Sequence, residues 1–187
     1  ELKIKDIMTK DPLTISPTYT IQDALLMIQD ARVGALPVVE ALGHDPDIVL
    51  AGRVTDTGIT LGALVHEYGW AMDDYDRLAH GIVGGHIIEC GCQTCGGNYS
   101  FFQEVPSFHN VGYPIAEIEA DGSFTITKHP NTGGLISVGT VTAQLLYEIS
   151  TPAYVNPDVV AHFDSLNIEQ VGEDRVRISG VRGSNPP

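Results

Sequence analysis

Apolar residues change their rhythm along this chain near residue 40, and the elements they predict change with them. Ile4, Ile7 and Met8 lead into Thr9-Lys10-Asp11-Pro12, a turn signal, and Leu13-Thr14-Ile15 reads as a short strand closed by Ser16-Pro17. Thr20 is a candidate N-cap, with Asp23 three residues on. Ala24, Leu25, Ile28 and Ala31 then fall at helical spacing, and Gly34 is placed as the stop. Ala35-Leu36-Pro37-Val38-Val39 reads as a buried strand. Residues 1–40 thus read as a β-α-β half-unit, and 41–187 as a separate Gly-rich α/β body.

In that body, residues 47–52 predict a strand running into a Gly turn, and 59–68 a short amphipathic helix. Asp73 and Asp74 open a longer helix through Tyr75, Leu78, Ala79, Ile82 and Val83 towards Ile87 and Ile88. Gly81, Gly84 and Gly85 would cost that helix stability unless they admit a neighbouring backbone. Residues 114–119 alternate, Asp121-Gly122 turns, and 123–127 return as a hairpin partner. Val141, Leu145, Leu146 and Ile149 carry helical spacing within 135–149, and Pro152 and Pro157 bracket a loop. Two strands, 165–171 and 175–181, close the chain. The expected fold class is therefore α/β: a small N-terminal β-α-β unit, then a mixed α/β body ending in strands.

Charge narrows the function. The net charge is −14, of which residues 1–40 contribute −2 and the remainder −12. Ten scattered basic residues make neither a phosphate track for nucleic acid nor a patch for an anionic membrane. No apolar run approaches the ~20 residues of a membrane span, and no signal peptide opens the chain. Three cysteines do not make a secreted disulfide framework, so a reduced, cytoplasmic setting is expected. Glu1 in place of a starting Met suggests a fragment or a trimmed chain. The half-unit would leave strand edges unpaired, which makes a homodimer a reasonable expectation.

Two resemblances account for the two rhythms. Ile7-Met8-Thr9, Pro12, Thr14-Ile15, the helix over 20–31 and Gly34-Ala35-Leu36-Pro37-Val38-Val39 resemble the first half of a cystathionine-β-synthase (CBS) domain. That resemblance implies a regulatory module binding adenine nucleotides. Gly52 and Thr55 fit its continuation, while Gly58 stands where the ribose-binding carboxylate is expected. The rest, about 43–187, resembles the acyclic terpene utilisation family. The residues that carry this are Asp47-Ile48-Val49, Gly52-Arg53-Val54-Thr55-Asp56, His66-Glu67-Tyr68-Gly69-Trp70 and Gly85-His86-Ile87-Ile88-Glu89-Cys90-Gly91. Gly96-Gly97-Asn98-Tyr99, Gly112-Tyr113-Pro114-Ile115-Ala116-Glu117, Thr132-Gly133-Gly134-Leu135 and Gln144-Leu145-Leu146-Tyr147-Glu148-Ile149 complete it. This second resemblance implies a catabolic protein acting on a branched acyl-CoA or a carboxylate, with a CoA thioester as candidate ligand, beside the adenine nucleotide that the first resemblance implies. A chimeric or truncated chain without intact activity is the third reading.

Candidate chemistry follows from residue type and spacing. Arg53 and Thr55, just after a predicted strand, and Thr132, Gly133 and Gly134, before a predicted helix, are candidate anion-binding residues. Asp56 is a candidate base or polar anchor, and Glu89, beside Ile87 and Ile88, a candidate for proton abstraction next to a thioester carbonyl. His66 and Glu67 near Trp70 could rim a pocket. His86, Cys90, Cys92 and Cys95 form the tightest cluster of soft donors, a candidate Zn²⁺ or iron set, with buried reduced thiols as the favoured alternative. A Gly-x-Ser-x-Gly elbow, a P-loop and an HExxH helix are all absent from the sequence.

Overall fold

Ala35, Val38, Val39 and Leu42 recur at the spacing of one helix face, and helix is what they form. The computed structural model describes residues 34–49 and 54–187, all within one compact unit. Its first element is α1 (Leu36–Leu42), where a strand was expected. Pro37 explains the difference. In the first turn its fixed φ suits a helix, and the N–H it lacks has no intrahelical partner to lose. The Asp158 carboxylate accepts the Ala35 N–H at 2.8 Å, so the helix entry is tied to a distant loop. The expected strand at 13–15, helix over 20–31 and residues 50–53 lie outside the described residues, and 47–49 carry no strand.

Helices α2 (Gly58–Tyr68) and α3 (Tyr75–Ile88) form a hairpin close to expectation. Asp74 caps α3 by accepting the Arg77 N–H. From Leu78 to Ile87 every residue of α3 is buried, and the helix contacts α2, both sheets and the later helix α4 (Val138–Leu145). A helix buried all round is a core helix, and its glycines serve packing. A Cβ on Gly85 would stand 3.1 Å from the Thr57 Cα.

The first sheet contains β1 (Pro114–Ile118), β2 (Phe124–Lys128), β5 (Asn167–Gly172) and β6 (Arg175–Ser179), in the order β1-β2-β6-β5. The second contains β3 (Ala153–Val155), β4 (Val160–His162) and β7 (Arg182–Ser184), in the order β3-β4-β7. All their pairings are antiparallel. The body is thus mixed α/β and ends in strands, as expected. The three-residue strands β3, β4 and β7 fall where a loop or no element was expected. Phe124, Ile126, Ile178, Leu78 and Ile82 are fully buried where α3 meets the sheets, each contributing roughly 1.5–3 kcal/mol by its burial.

Candidate functional site

A helical hairpin brings the first turn of one helix beside the last turn of the next. Here it sets Asp56, Ile59 and Thr60 at the start of α2 opposite Ile88, Glu89 and Cys90 at the end of α3. Glu148, in the turn after α4, closes the third side of a cleft of about 430 Å³. Glu148 adopts a left-handed backbone (φ 60°), as the chain reverses beyond α4. Asp56 and Glu89, the two residues proposed from sequence for proton transfer, therefore share one cavity with a third carboxylate.

Behind Glu89 stands a buried imidazole. His86 is 1% exposed, its Nδ1 lies 3.1 Å from Glu89 Oε1 and its Nε2 3.1 Å from the Gln144 carbonyl. A carbonyl only accepts, so Nε2 carries a proton. Nδ1 is left to pair with Glu89 Oε1. Gln144 returns a hydrogen bond from its Nε2 to the His86 carbonyl at 3.2 Å, which ties α3 to α4. Tyr154 and Phe163 pack their rings 5.8 and 5.7 Å from the imidazole and hold its plane. Fully buried Gln144 leaves its Oε1 without a hydrogen-bond partner.

The cleft is electrostatically negative, and two neighbours register it. Burial pushes the Cys90 thiol up, Gln144 pulls it down, and Glu89, Glu148 and Asp56 push it further up. The Tyr154 phenol is raised by burial first and then by Glu89, Asp56 and Glu148. Three carboxylates thus act on the same two groups.

The expected metal set does not assemble. Both His86 nitrogens are committed, Cys92 is exposed, and Cys95 is fully buried in the hydrophobic core. Burial raises the Cys95 thiol to about 12, which keeps it protonated. Among the described residues no group of three or more His, Cys, Asp or Glu is placed to hold a metal ion. The three cysteines are free thiols, but of the buried set that the alternative reading expected only Cys95 is buried.

The expected anion nest at Thr132, Gly133 and Gly134 is also occupied by the protein itself. Gly133 N–H donates to the Asn110 carbonyl at 2.9 Å and Gly134 N–H to the Ser107 carbonyl at 2.8 Å. The Thr132 hydroxyl donates to the His129 carbonyl at 2.7 Å. These glycines are small because backbone crowds them: a Cβ on Gly133 would meet the His109 carbonyl oxygen at 2.2 Å. Helix α4 starts later, capped by Ser137 and Thr140 in a reciprocal box. Of the other expected anion ligands, Arg53 lies outside the described residues, and Thr55 Oγ1 is buried without a hydrogen-bond partner. His66, Glu67 and Tyr68 line a separate groove with Leu64 and Ile118. The Tyr68 hydroxyl donates to the Ile118 carbonyl at 2.6 Å, and the Tyr68 ring stacks on Trp70.

Sequence reasoning missed Glu148, Gln144 and Tyr154 as members of the site. Gln144 and Glu148 stand four apart beside the apolar Val141-Leu145 face, a polar stripe that could have pointed to them.

The described residues form a mixed α/β body with antiparallel sheets and a carboxylate-lined cleft at the ends of two helices. The model of the acyclic terpene utilisation family protein AtuA matches residues 4–187, and the chain belongs to that family. The match begins upstream of the 43–187 stretch on which the resemblance rested. Over 58 residues the chain is 43% identical to the CBS domain-containing protein YhcV of Bacillus subtilis (strain 168). That alignment takes in 31% of this chain and 37% of the relative, so the chain spans little more than a third of that protein. No solved structure matches the chain. No helix among the described residues is long and apolar enough to cross a membrane.

Proposed function

We propose that this protein acts in the breakdown of branched acyclic acyl compounds, removing a proton next to the carbonyl of an acyl thioester. The observation that carries the reading is the cleft shared by Asp56, Glu89 and Glu148, with the His86 Nδ1 3.1 Å from Glu89 Oε1 behind it. Glu89 serves as the base, and the buried imidazole positions its carboxylate. Asp56 and Glu148 set the polarity of the cleft. Three carboxylates repel a free carboxylate ligand, so a neutral thioester carbonyl suits the cleft better than an acid. Family membership supports the acyclic, branched character of the acyl group.

A second reading rests on the identity to the CBS domain-containing relative. It has the N-terminal stretch bind an adenine nucleotide and regulate the body.

Thermal melting of the pure chain with AMP, ATP, free CoA and a branched acyl-CoA separates the two. Ligands that bind only the native state raise the midpoint. A rise with the acyl-CoA that exceeds the rise with free CoA is the expected result. A rise with the nucleotides alone would transfer the function to the N-terminal stretch.

A further inference from the structure

The two sheets have four edges, and they are not equally closed. β3 and β7 are three residues long, too short to template a partner strand. β1 begins with Pro114, and the Tyr68 hydroxyl takes up the Ile118 carbonyl at its other end. β5 is the exception. Its six residues hold neither proline nor lysine, and among the described residues its backbone bonds to no backbone outside β6. The start of α4 reaches it only through a side chain, with the Val138 N–H donating to Gln170 Oε1 at 3.1 Å. A bulge at Val171 is the one protective device, and it leaves the regularly paired run 167–170 untouched.

Beside that edge lies an apolar groove of about 430 Å³. The end of α4 contributes Leu145 and Leu146 to it, and the segment running into β5 contributes Phe163, Leu166 and Ile168. Leu146 belongs to this lining yet is 69% exposed, and Val171 is exposed at the bulge. Charge is sparse here. Asp164 is the one charged residue of the groove lining and Glu169 the one on β5, in a chain of net charge −14.

We propose that β5 and this groove form the interface of a homodimer, in which two copies pair their β5 strands antiparallel across a two-fold axis. Two features select a second copy as the occupant. An antiparallel edge is its own complement under a two-fold rotation, so the surface needs no strand of another kind. The same rotation sets the two grooves side by side on one face of the joined sheet, where each Leu146 gains apolar neighbours that the monomer does not give it. Charge selects the same surface. Two copies of so acidic a chain repel on most approaches, and they meet with least repulsion where carboxylates are fewest.

Sedimentation velocity of the full chain, over about a hundredfold range of concentration, is expected to show a monomer–dimer equilibrium. Leu146→Asp places a carboxylate on an exposed side chain at the joint, so the fold should survive while the dissociation constant rises about tenfold or more. Val171→Lys, an edge-strand lysine, should act in the same direction. Phe102→Asp charges a comparably exposed apolar side chain outside this surface and should leave the dimer as it is. Hydrogen exchange distinguishes strand pairing from groove contact alone. Amides within 167–170 should gain protection as the concentration rises, and Leu146→Asp should remove that gain. A chain that stays monomeric throughout would overturn the proposal and leave the groove to a ligand or to another protein. So would a dimer that Phe102→Asp breaks while Leu146→Asp and Val171→Lys leave it intact, and so would a dimer that forms without protecting 167–170.

Discussion

Burial and three nearby carboxylates act on the Cys90 thiol in the same direction, and Gln144 opposes them only in part. A thiol held protonated is a poor nucleophile and a poor metal ligand. Cys92 faces solvent, whereas Cys95 is sealed in the core. Iodoacetamide at neutral pH should therefore alkylate Cys92 first, Cys90 slowly, and Cys95 only after unfolding, as read by peptide mass spectrometry. Protection of Cys90 and Cys92 together by added Zn²⁺ would contradict this account. The spacing of these cysteines was plain in the sequence, but spacing counts donors without saying where they point. The 3-10 turn Gly91–Gln93 and the core contacts of Cys95 splay them apart. The Gly133-Gly134 pair misled for a related reason. Glycine marks either a ligand cradle or a close backbone approach, and only the surrounding carbonyls tell which.

Helices with strong periodicity were legible, and so was the hairpin of β1 and β2, because their signals are local. Helix α1 was misread, although Ala35, Val38, Val39 and Leu42 repeat at helical spacing. The β-branched pair Val38-Val39 beside Pro37 favoured a strand, and tertiary packing against α2 overrides that weak preference. The short strand β7 had no periodic signal at all, since it is held by partners far away in sequence. Asp76, in the first turn of α3, accepts the Gly183 N–H at 2.9 Å and an Arg182 guanidinium N–H at 2.8 Å. The Gly183 N–H above all holds the Asp76 carboxyl below its ordinary range, against the cost of burial and with further help from Arg182 and His80. A carboxyl whose pKa is lower in the folded state stabilises above its unfolded value of about 3.9, and that contribution is lost as pH falls through the folded value. Asp76→Asn should accordingly lower the melting midpoint at neutral pH, with the gap to wild type closing below about pH 4. A constant gap across that range would show that Asp76 acts by shape alone.

At the scale of the whole molecule, two carboxylates proposed separately from sequence meet because α2 and α3 are antiparallel and joined by a short turn. That meeting was legible in principle from the two helices and the connection between them. Glu148 and the apolar groove were not, because they depend on how the chain reverses after α4, where a non-glycine residue takes a left-handed backbone. The acidity of the chain, net −14, gains a local meaning here: three of its carboxylates surround the cleft. The central claim is that Glu89 moves a proton in this cleft. The most direct measurement is uptake of solvent deuterium beside the carbonyl of a branched acyl-CoA in D₂O, followed by mass spectrometry, for wild type and Glu89→Gln. The glutamine can still hydrogen-bond His86 but cannot take the proton. Uptake by the wild type that drops about a hundredfold or more in the variant is the predicted result. Equal uptake by both proteins, or none by the wild type while the ester is bound, would contradict it.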